Sequence, residues 1–299
     1  MAGFQFMHSE VYAATAGQPR PAKKGGAVVR TEQRKLSAMA VIGEAARLDG
    51  CAPHVDQPQA PKTLFGIEAG SLANWCTDLL EMAANQVTVG GKKQRKDTPV
   101  LMGIVASFPG PPDDSDANYV RWKELNVSYF RQKFGDKVAS ILEHTDEKHG
   151  HLHVLLHNNG LSVKSLHPGY AASVPVRQAG GSQAAQSEAY KGACKHWQDE
   201  YQEQVAMRCG LARIGPGRQR LSRSQWLRQQ QQSERLAKKL HELEEAEKRA
   251  RVRELALDQV EKEKADRLAE KALGAYGKRS AALGVIERLK GPPKPPRPS

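Results

Sequence analysis

Residues 144–157 read HTDEKHGHLHVLLH and contain five of the ten histidines of this 299-residue chain. The core of the segment is His151-Leu152-His153, which leads into the apolar residues 154–156 and therefore reads as a β-strand. Side chains alternate between the two faces of a strand, so His151 and His153 share one face and Leu152 takes the other. The pattern predicts two imidazoles that bind one metal ion together.

A third metal ligand is predicted at His144. This residue ends a second strand-like run, residues 138–143, and only a short polar loop separates it from His151. A hairpin at this loop brings His144 beside the other two histidines. Three imidazoles with an open coordination position are typical of a catalytic metal site, whereas a structural zinc site usually has a fourth protein ligand. His149 lies in the loop and His157 lies towards the far end of the strand, so neither is predicted as a ligand.

The charge balance predicts a polyanionic partner. The chain has 45 Lys and Arg residues against 33 Asp and Glu residues, which gives a net charge of +12. Basic proteins gain affinity for nucleic acids because their Lys and Arg side chains displace counterions from the phosphates. No run approaches the roughly 18 apolar residues of a membrane span, and the N-terminus lacks the features of a signal peptide, so we expect a cytoplasmic protein. Four scattered cysteines form no Cys-x-x-Cys pair, which argues against a zinc ribbon or a disulfide framework: Cys51, Cys76, Cys194 and Cys209.

A basic turn is predicted after Gly90 and Gly91, between a helix and a strand. Side chains on such a turn reach a phosphate backbone without disturbing a core. We therefore predict that the basic residues of this turn contact DNA: Lys92, Lys93, Arg95 and Lys96.

The order of the predicted elements favours an α+β fold. We expect a mostly antiparallel sheet with helices packed on one face, which leaves the other face for the metal and the nucleic acid. The segment up to about residue 186 that follows Tyr170 is rich in Gly, Ala, Ser and Gln and is predicted as a loop. The predicted strands are 4–12, 99–108, 138–144 and 151–156, and the predicted helices are 31–48, 71–85, 117–134 and 187–209.

The spacing His144-x-Asp146-Glu147-x-x-x-His151-x-His153 resembles the metal-binding motif of plasmid mobilisation relaxases. It is most similar to the Mob/Pre (plasmid mobilisation and recombination) family, within the wider class of His-hydrophobic-His (HUH) endonucleases. Residue identity and spacing agree together over this motif. Outside it, the resemblance is one of layout: a first strand, a helical region, the histidine strands and a charged helical C-terminus.

The resemblance implies a DNA relaxase, a metal-dependent single-strand endonuclease and transesterase that nicks plasmid DNA at a transfer origin. A side chain of the enzyme attacks the phosphorus, retains the 5′-phosphate covalently and releases a 3′-hydroxyl, and the nick is later resealed. His144, His151 and His153 correspond to the metal triad. Glu147 takes the acidic position of the motif, where it would orient a histidine or transfer a proton.

The same resemblance implies the cofactor and the partners. The metal is expected to be Mn²⁺ or Mg²⁺. The DNA partner is single-stranded or supercoiled plasmid origin DNA in the bacterial cytoplasm. Accessory mobilisation proteins and a conjugative coupling protein are further expected partners, and no membrane span is expected.

The nucleophile is where the chain departs from the family. Mob/Pre proteins resemble one another in using a histidine shortly after the first strand, but here residues 27–34 read AVVRTEQR, with neither histidine nor tyrosine. The candidates upstream are His8 and Tyr12 on the first strand, and His54 is a third. We favour Tyr12, because a strand beside the metal strands is within reach and a tyrosine forms a stable phosphodiester adduct.

Composition along the chain divides it into three parts. Residues 1–215 are predicted to form a relaxase-like DNA-nicking domain. Residues 216–290 are predicted to form a long charged helical extension, and residues 291–299 a disordered Pro-rich tail.

Three alternative functions remain open at this point. A rolling-circle replication initiator would share the metal motif but would use a downstream tyrosine on a helix, here Tyr190. A non-enzymatic plasmid DNA-binding protein would use the basic loops without cleavage. A zinc hydrolase is the third, although zinc chemistry does not require the basic charge balance.

Overall fold

A five-stranded sheet lies at the centre of the computed structural model, which describes residues 3–17, 21–24, 27–30, 36–87, 91–213 and 222–289. In chain order the strands are β1 (Phe6–Ala13), β2 (Pro21–Lys24), β3 (Ala27–Arg30), β4 (Lys62–Gly66), β5 (Pro99–Ser107), β6 (Val138–His144) and β7 (His151–His157). The α-helices are α1 (Ala38–Ala45), α2 (Leu72–Asn85), α3 (Ala117–Phe134), α4 (Pro168–Gln178), α5 (Gln183–Tyr201) and α6 (Arg223–Leu289).

The sheet has the strand order β1-β5-β7-β6-β4, and every neighbouring pair is antiparallel. The predicted α+β class with a mostly antiparallel sheet is therefore confirmed. Strands β2 and β3 form a separate hairpin. The edge strand β4 was not predicted, because its five residues follow a Pro-rich crossing and show little alternation. Each of the two histidine strands lies inside the sheet, with a partner on both sides.

Helices cover both faces of the sheet, so the prediction that they pack on one face only is wrong. One face packs against α3 and α5 through residues such as Ile104 and Val154. The other face packs against α1 and α2 through Leu101 and Leu155. The physical reason is visible in β5 and β7, where consecutive residues are apolar, and a strand that is apolar on both faces needs cover on both.

Helix α3 contacts the histidine hairpin beside its turn, on the sheet face opposite the histidines. Glu143 is 2% exposed, and its Oε1 accepts a hydrogen bond of 2.8 Å from the Tyr119 hydroxyl and one of 2.7 Å from Lys123 Nζ. Gly150, at the other end of the turn, packs against the same tyrosine, since an added Cβ would lie 2.5 Å from its hydroxyl. Any larger residue at position 150 would therefore collide with Tyr119.

Most of the predicted helices are confirmed, with one clear error. Helices α2 and α3 match the predicted 71–85 and 117–134, whereas α1 is shorter than the predicted 31–48, part of which lies outside the described residues. The predicted loop after Tyr170 is wrong, because α4 and the start of α5 occupy it. Its Ala and Gln residues are good helix formers, and only residues 179–182, which include Gly180 and Gly181, separate the two helices.

The chain divides into two compact units, Met1–Lys239 and Leu240–Ser299. The first turns of α6 belong to the first unit, where Gln230 is 7% exposed. The long charged C-terminal helix is confirmed, and the predicted tail, residues 291–299, lies outside the described residues. Among the described residues, no helix is both long and apolar enough to cross a membrane. The domain boundary at residues 215/216 remains a prediction.

Candidate metal centre

Three histidine rings converge on the sheet face that α1 and α2 partly cover. His144 pairs directly with His151 in the β6–β7 register, and His153 lies one pleat further along β7. The ring centroid of His144 lies 4.9 Å from that of His151 and 4.4 Å from that of His153. One ring nitrogen from each histidine can be chosen so that all three lie within 4.8 Å of one another. The hairpin predicted from the sequence thus brings the three residues together.

The hydrogen bonds of His144 leave one ring nitrogen for a metal. Its Nε2 lies 2.8 Å from the carbonyl oxygen of Ala45, an acceptor, so the proton of the neutral ring belongs on Nε2. Its Nδ1 is buried and meets no hydrogen-bond partner among the described residues. An unpaired buried nitrogen costs free energy unless something binds it, and a metal ion beside the other two imidazoles satisfies it.

His151 also has one ring nitrogen beside a carbonyl oxygen, but in the opposite tautomer. Its Nδ1 lies 3.2 Å from the carbonyl oxygen of His149, so Nδ1 donates and Nε2 keeps its lone pair. Metal-binding histidines usually donate the second ring N–H to a carbonyl or carboxylate, which fixes the ring orientation. Both His144 and His151 therefore show the outer contacts of metal ligands.

Burial keeps two of the rings uncharged. Burial, together with Arg47 and His151 nearby, lowers the pKa of His144 to about 4. Burial and the two neighbouring histidines hold the pKa of His153 well below its usual value. At neutral pH these rings are unprotonated and keep the lone pairs that a metal ion requires.

Arg47 is a residue of the candidate site that the sequence analysis missed. Its side chain is 2% exposed, and Nε and Nη2 each donate a hydrogen bond of 2.9 Å to the Asp146 carboxylate. Nη2 also donates one of 2.7 Å to Glu147. Arg47 follows α1 with a φ of 53°, a conformation that non-glycine residues rarely adopt. No sequence motif marks it, because it lies about a hundred residues before its partners.

The two acidic residues of the motif have different surroundings. The Asp146 side chain is 1% exposed, and although burial raises its pKa, the Arg47 guanidinium brings it below the usual range. The Glu147 side chain is 35% exposed, and its Oε1 lies 3.6 Å from Nε2 of His151. The pKa of Glu147 is also lowered, because Arg47 and His151 outweigh the effect of burial. Asp146 thus anchors the loop, and Glu147 borders the histidines.

The donor set fits a divalent metal ion. Three imidazoles supply nitrogen ligands, and Glu147 supplies a carboxylate beside them. Mg²⁺ prefers oxygen ligands, whereas imidazole suits later divalent metals, so Mn²⁺ fits this set better than Mg²⁺. Metal binding by these residues remains a prediction.

The strand β1 holds two of the nucleophile candidates on the same face as the histidines. His8 pairs with Val105, which in turn pairs with His153, so His8 lies in the same row of the sheet. Tyr12 lies four residues further, about 13 Å along the strand. Its hydroxyl donates to Glu10 at 3.4 Å, and burial and Glu10 raise its pKa. Tyr12 packs against the core of α1 and α2.

The other two candidates differ in their position relative to the metal centre. His54 has a half-exposed side chain, and its Nε2 lies 3.6 Å from Oε1 of Glu147, the same oxygen that lies 3.6 Å from His151. Tyr190 contacts His167, which contacts Ser9 on β1. Ser9 shares the β1 face of Met7 and Val11, which pack with α3 and α5, so Tyr190 lies on the face opposite the histidines.

The predicted basic turn lies at the far end of the sheet. Strand β5 begins just after this turn and ends at Ser107, which pairs with His151. The two ends of β5 are about 27 Å apart at about 3.4 Å per residue. Arg95 is paired with Asp97 at 2.7 Å, while the lysines of the turn are exposed: Lys92, Lys93 and Lys96. Their contact with DNA remains a prediction.

Comparison with known proteins gives one distant structural likeness. No protein-family profile matches the chain, and no curated protein matches it in sequence. Among solved structures, the chain is similar to the MobM relaxase domain (MOBV; Mob_Pre) bound to 26-nucleotide pMV158 oriT DNA, with 15% identity and a TM-score of 0.32. The match covers 56% of this chain and 85% of that one.

We expect Arg47→Met to weaken metal binding. The substitution leaves the buried Asp146 carboxylate without its partner and frees the loop that carries Glu147. Loss of such an outer contact typically lowers metal affinity by about 10- to 100-fold. Mn²⁺ affinity can be measured from the free-ion electron paramagnetic resonance signal during titration.

The control is Arg213→Met, which removes a guanidinium bound to Asp199 at 2.8 Å, away from the histidines. Circular dichroism establishes that both variants are folded. A folded Arg47→Met protein with the Mn²⁺ affinity of the wild type would contradict the assigned role.

Proposed function

We propose that this protein is a plasmid mobilisation relaxase that nicks one strand of DNA at a transfer origin in a metal-dependent reaction. The observation that carries the proposal is the arrangement of His144, His151 and His153. Three buried or half-buried imidazoles meet, and Nδ1 of His144 has no partner among the described residues. The hydrogen bonds to Ala45 and His149 support a site prepared for an ion and not a packed polar core.

The three histidines would hold the metal, and Glu147 would complete the site or move a proton at its edge. Mn²⁺ or Mg²⁺ held by these residues would supply a positive charge that polarises the scissile phosphate. Arg47 orients Asp146 and Glu147, so the carboxylate of Glu147 stays beside His151. Leu152 takes no part in this chemistry, because it lies fully buried on the opposite face.

The cleavage step transfers a phosphodiester from DNA to the protein. A ring nitrogen of histidine, or a tyrosine oxygen, forms a bond to phosphorus while the bond from phosphorus to the 3′-oxygen breaks. The leaving oxygen takes a proton and becomes a 3′-hydroxyl, and the nucleophile loses a proton and keeps the 5′-phosphate. One bond is formed for each one broken, so resealing needs no ATP.

Three candidates compete for the nucleophile, and one of them is His8, which is exposed on β1 in the same row of the sheet as His153. The sequence favours Tyr12, but its hydroxyl is engaged by Glu10 and its ring is packed. His54 is half exposed and adjoins Glu147 at the edge of the histidine cluster. Contact with the site and access to solvent therefore favour His54 over Tyr12.

The charge of the protein supports DNA as the substrate. A net charge of +12 favours a polyanionic partner. The basic turn, at the end of the sheet remote from the metal centre, is the proposed contact with the DNA strand. The proposed partners are single-stranded or supercoiled plasmid origin DNA, accessory mobilisation proteins and a conjugative coupling protein. The proposed compartment is the bacterial cytoplasm.

The alternative of a rolling-circle initiator finds less support. That mechanism needs a downstream tyrosine beside the metal, and Tyr190 contacts His167 on the opposite face of the sheet. A non-enzymatic DNA-binding protein would not need two histidine tautomers fixed by carbonyl groups. Covalent attachment to DNA separates these possibilities from the proposed relaxase.

We expect the double variant His151→Ala, His153→Ala to lose metal-dependent nicking of supercoiled plasmid that carries its own flanking DNA. Two of three ligands are then missing, so the phosphate is no longer polarised. Relaxation of the plasmid on an agarose gel, with protein attached to the 5′ end, is the measurement. His149→Ala is the matched control, because it removes an exposed histidine from the same hairpin. Nicking by the double variant at the wild-type rate would refute the metal centre.

We expect His54→Gln to abolish the covalent DNA adduct and Tyr12→Phe to retain it. The first change removes a ring nitrogen at the site, and the second removes only a hydroxyl held by Glu10. Peptide mapping of the adduct identifies the residue, and a phosphohistidine, unlike a phosphotyrosine, is lost in mild acid. An acid-stable adduct on Tyr12 would restore the sequence-based choice, and one on His8 would move the nucleophile to β1.

We expect neutralisation of the basic turn to flatten the salt dependence of DNA binding. The change is Lys92→Gln, Lys93→Gln, Arg95→Gln and Lys96→Gln. The log–log slope should fall by about 0.7 for each lost contact with a single-strand phosphate. The control replaces four exposed basic residues of α6 by Gln and has the same net charge: Lys248, Arg249, Arg251 and Arg253. Equal slopes for the two variants would show that the turn makes no specific contact.

A further inference from the structure

A cavity of about 450 Å³ lies between α4 and α5. It belongs to the layer that packs on the sheet face opposite the three histidines, because His167, at the start of α4, contacts Ser9 on that face. The proposed nicking chemistry uses none of its residues. The basic, aromatic and amide side chains that line it are Lys164, Tyr170, Arg177, Gln183, Gln186 and Tyr190.

The charge of this cavity is positive. Lys164 and Arg177 both line it, and none of the described residues that line it is acidic. Arg177 forms no ion pair with a described residue, and both cations are exposed to solvent at the rim. A guanidinium and an ammonium group facing one cavity favour an anion, and phosphate is the anion that both recognise well.

The inner wall of the cavity is aromatic and rigid. The rings of Tyr170 and Tyr190 meet edge to face, with centroids 5.2 Å apart. His167 stacks on Tyr190 at 5.4 Å, and its Nδ1 accepts a hydrogen bond from the backbone N–H of Gly169. Gly169 packs so closely that an added Cβ would lie 2.5 Å from the Tyr190 ring. The rings are therefore held in place before a ligand arrives.

The polar side chains between the cations and the rings suit a nucleobase edge. Gln183 offers an amide that donates and accepts hydrogen bonds. The Nε2 of Gln186 donates a hydrogen bond of 2.9 Å to the Gly181 carbonyl oxygen, which fixes this second amide at the wall of the cavity. Burial, with Cys194 and Tyr170 nearby, raises the pKa of Tyr190 to about 12, so its hydroxyl stays uncharged beside an anion. Cations, aromatic rings and amides together match the three parts of a nucleotide: phosphate, stacking base and base edge.

We propose that this cavity binds one nucleotide unit of the DNA strand, with the phosphate at Lys164 and Arg177 and the base against Tyr170 and Tyr190. The volume lies within the usual range of small-ligand sites. The choice of DNA as the source of the nucleotide rests on the proposed function. The cavity gives the protein a further DNA contact, on the face of the sheet that does not carry the metal centre.

The test is isothermal titration calorimetry on the full chain in EDTA, so that no cleavage occurs. The ligands are thymidine 5′-monophosphate, thymidine, inorganic phosphate and a short single-stranded oligonucleotide. The pocket variant is Lys164→Gln, Arg177→Gln. The matched control is Lys191→Gln, Lys195→Gln, which removes the same charge from the outer surface of α5. A third variant, Tyr170→Leu, removes one ring and leaves both cations.

We expect the pocket variant to bind the monophosphate and the oligonucleotide about tenfold more weakly than the wild type, since it loses charge-assisted hydrogen bonds. The control should bind as the wild type does. Tyr170→Leu should weaken the monophosphate and leave inorganic phosphate unchanged. Equal affinities for the pocket variant and the control would overturn the proposal. If inorganic phosphate binds as tightly as the monophosphate, the ligand is not a nucleotide. If the pocket variant loses affinity for the monophosphate but not for the oligonucleotide, the ligand does not come from a DNA strand.

The outcome is independent of the outcome for nicking. A wild-type chain that binds these ligands through the cavity but never nicks DNA would remove the proposed relaxase and leave the nucleotide site. A chain that nicks DNA while the pocket variant binds these ligands like the wild type would remove the nucleotide site and leave the proposed relaxase.

Discussion

The pairing of His144 with His151 across β6 and β7 is the constraint on which the site depends. Because strand side chains alternate, a slip of one residue would turn His151 and His153 towards α3 and bring Leu152 to the opposite face. The sheet prevents this slip from both faces, since Leu152 and Val154 are fully buried on one side and Leu155 on the other. Glu143 adds a buried connection to α3 beside the hairpin. The hydrophobic core therefore sets the geometry of the histidines.

Buried charge then fixes the loop between the two strands. Arg47 is almost completely enclosed, and its two partners satisfy a guanidinium that would otherwise be costly to bury. The same short segment supplies the Ala45 carbonyl oxygen that accepts from His144. One end of α1 thus sets both the tautomer of one histidine and the position of the acidic pair. A helix end without a recognisable motif therefore positions side chains on one strand of the hairpin and in its loop.

The two faces of the sheet have different chemistry. The histidine face carries three imidazoles, a carboxylate and His54, a set of donor groups that could hold a metal ion. The opposite face carries a larger aromatic core under α3 and α5, and the basic cavity lies in that layer between α4 and α5. Chemistry on one face and nucleotide binding on the other would let a DNA strand bind the protein at points that do not compete.

The sequence by itself determined the local parts of this protein. The alternation His151-Leu152-His153 fixed one face for both imidazoles, the spacing to His144 fixed a hairpin, and uninterrupted periodicity fixed α2 and α3. Tertiary structure decided what depends on distant contacts. The role of Arg47 arises because a helix end meets a loop about a hundred residues away, and the distance of Tyr12 from the histidines follows from the register of three strands. The second helical layer was missed for the same reason: periodicity describes one element at a time, whereas burial on both faces depends on what packs against it.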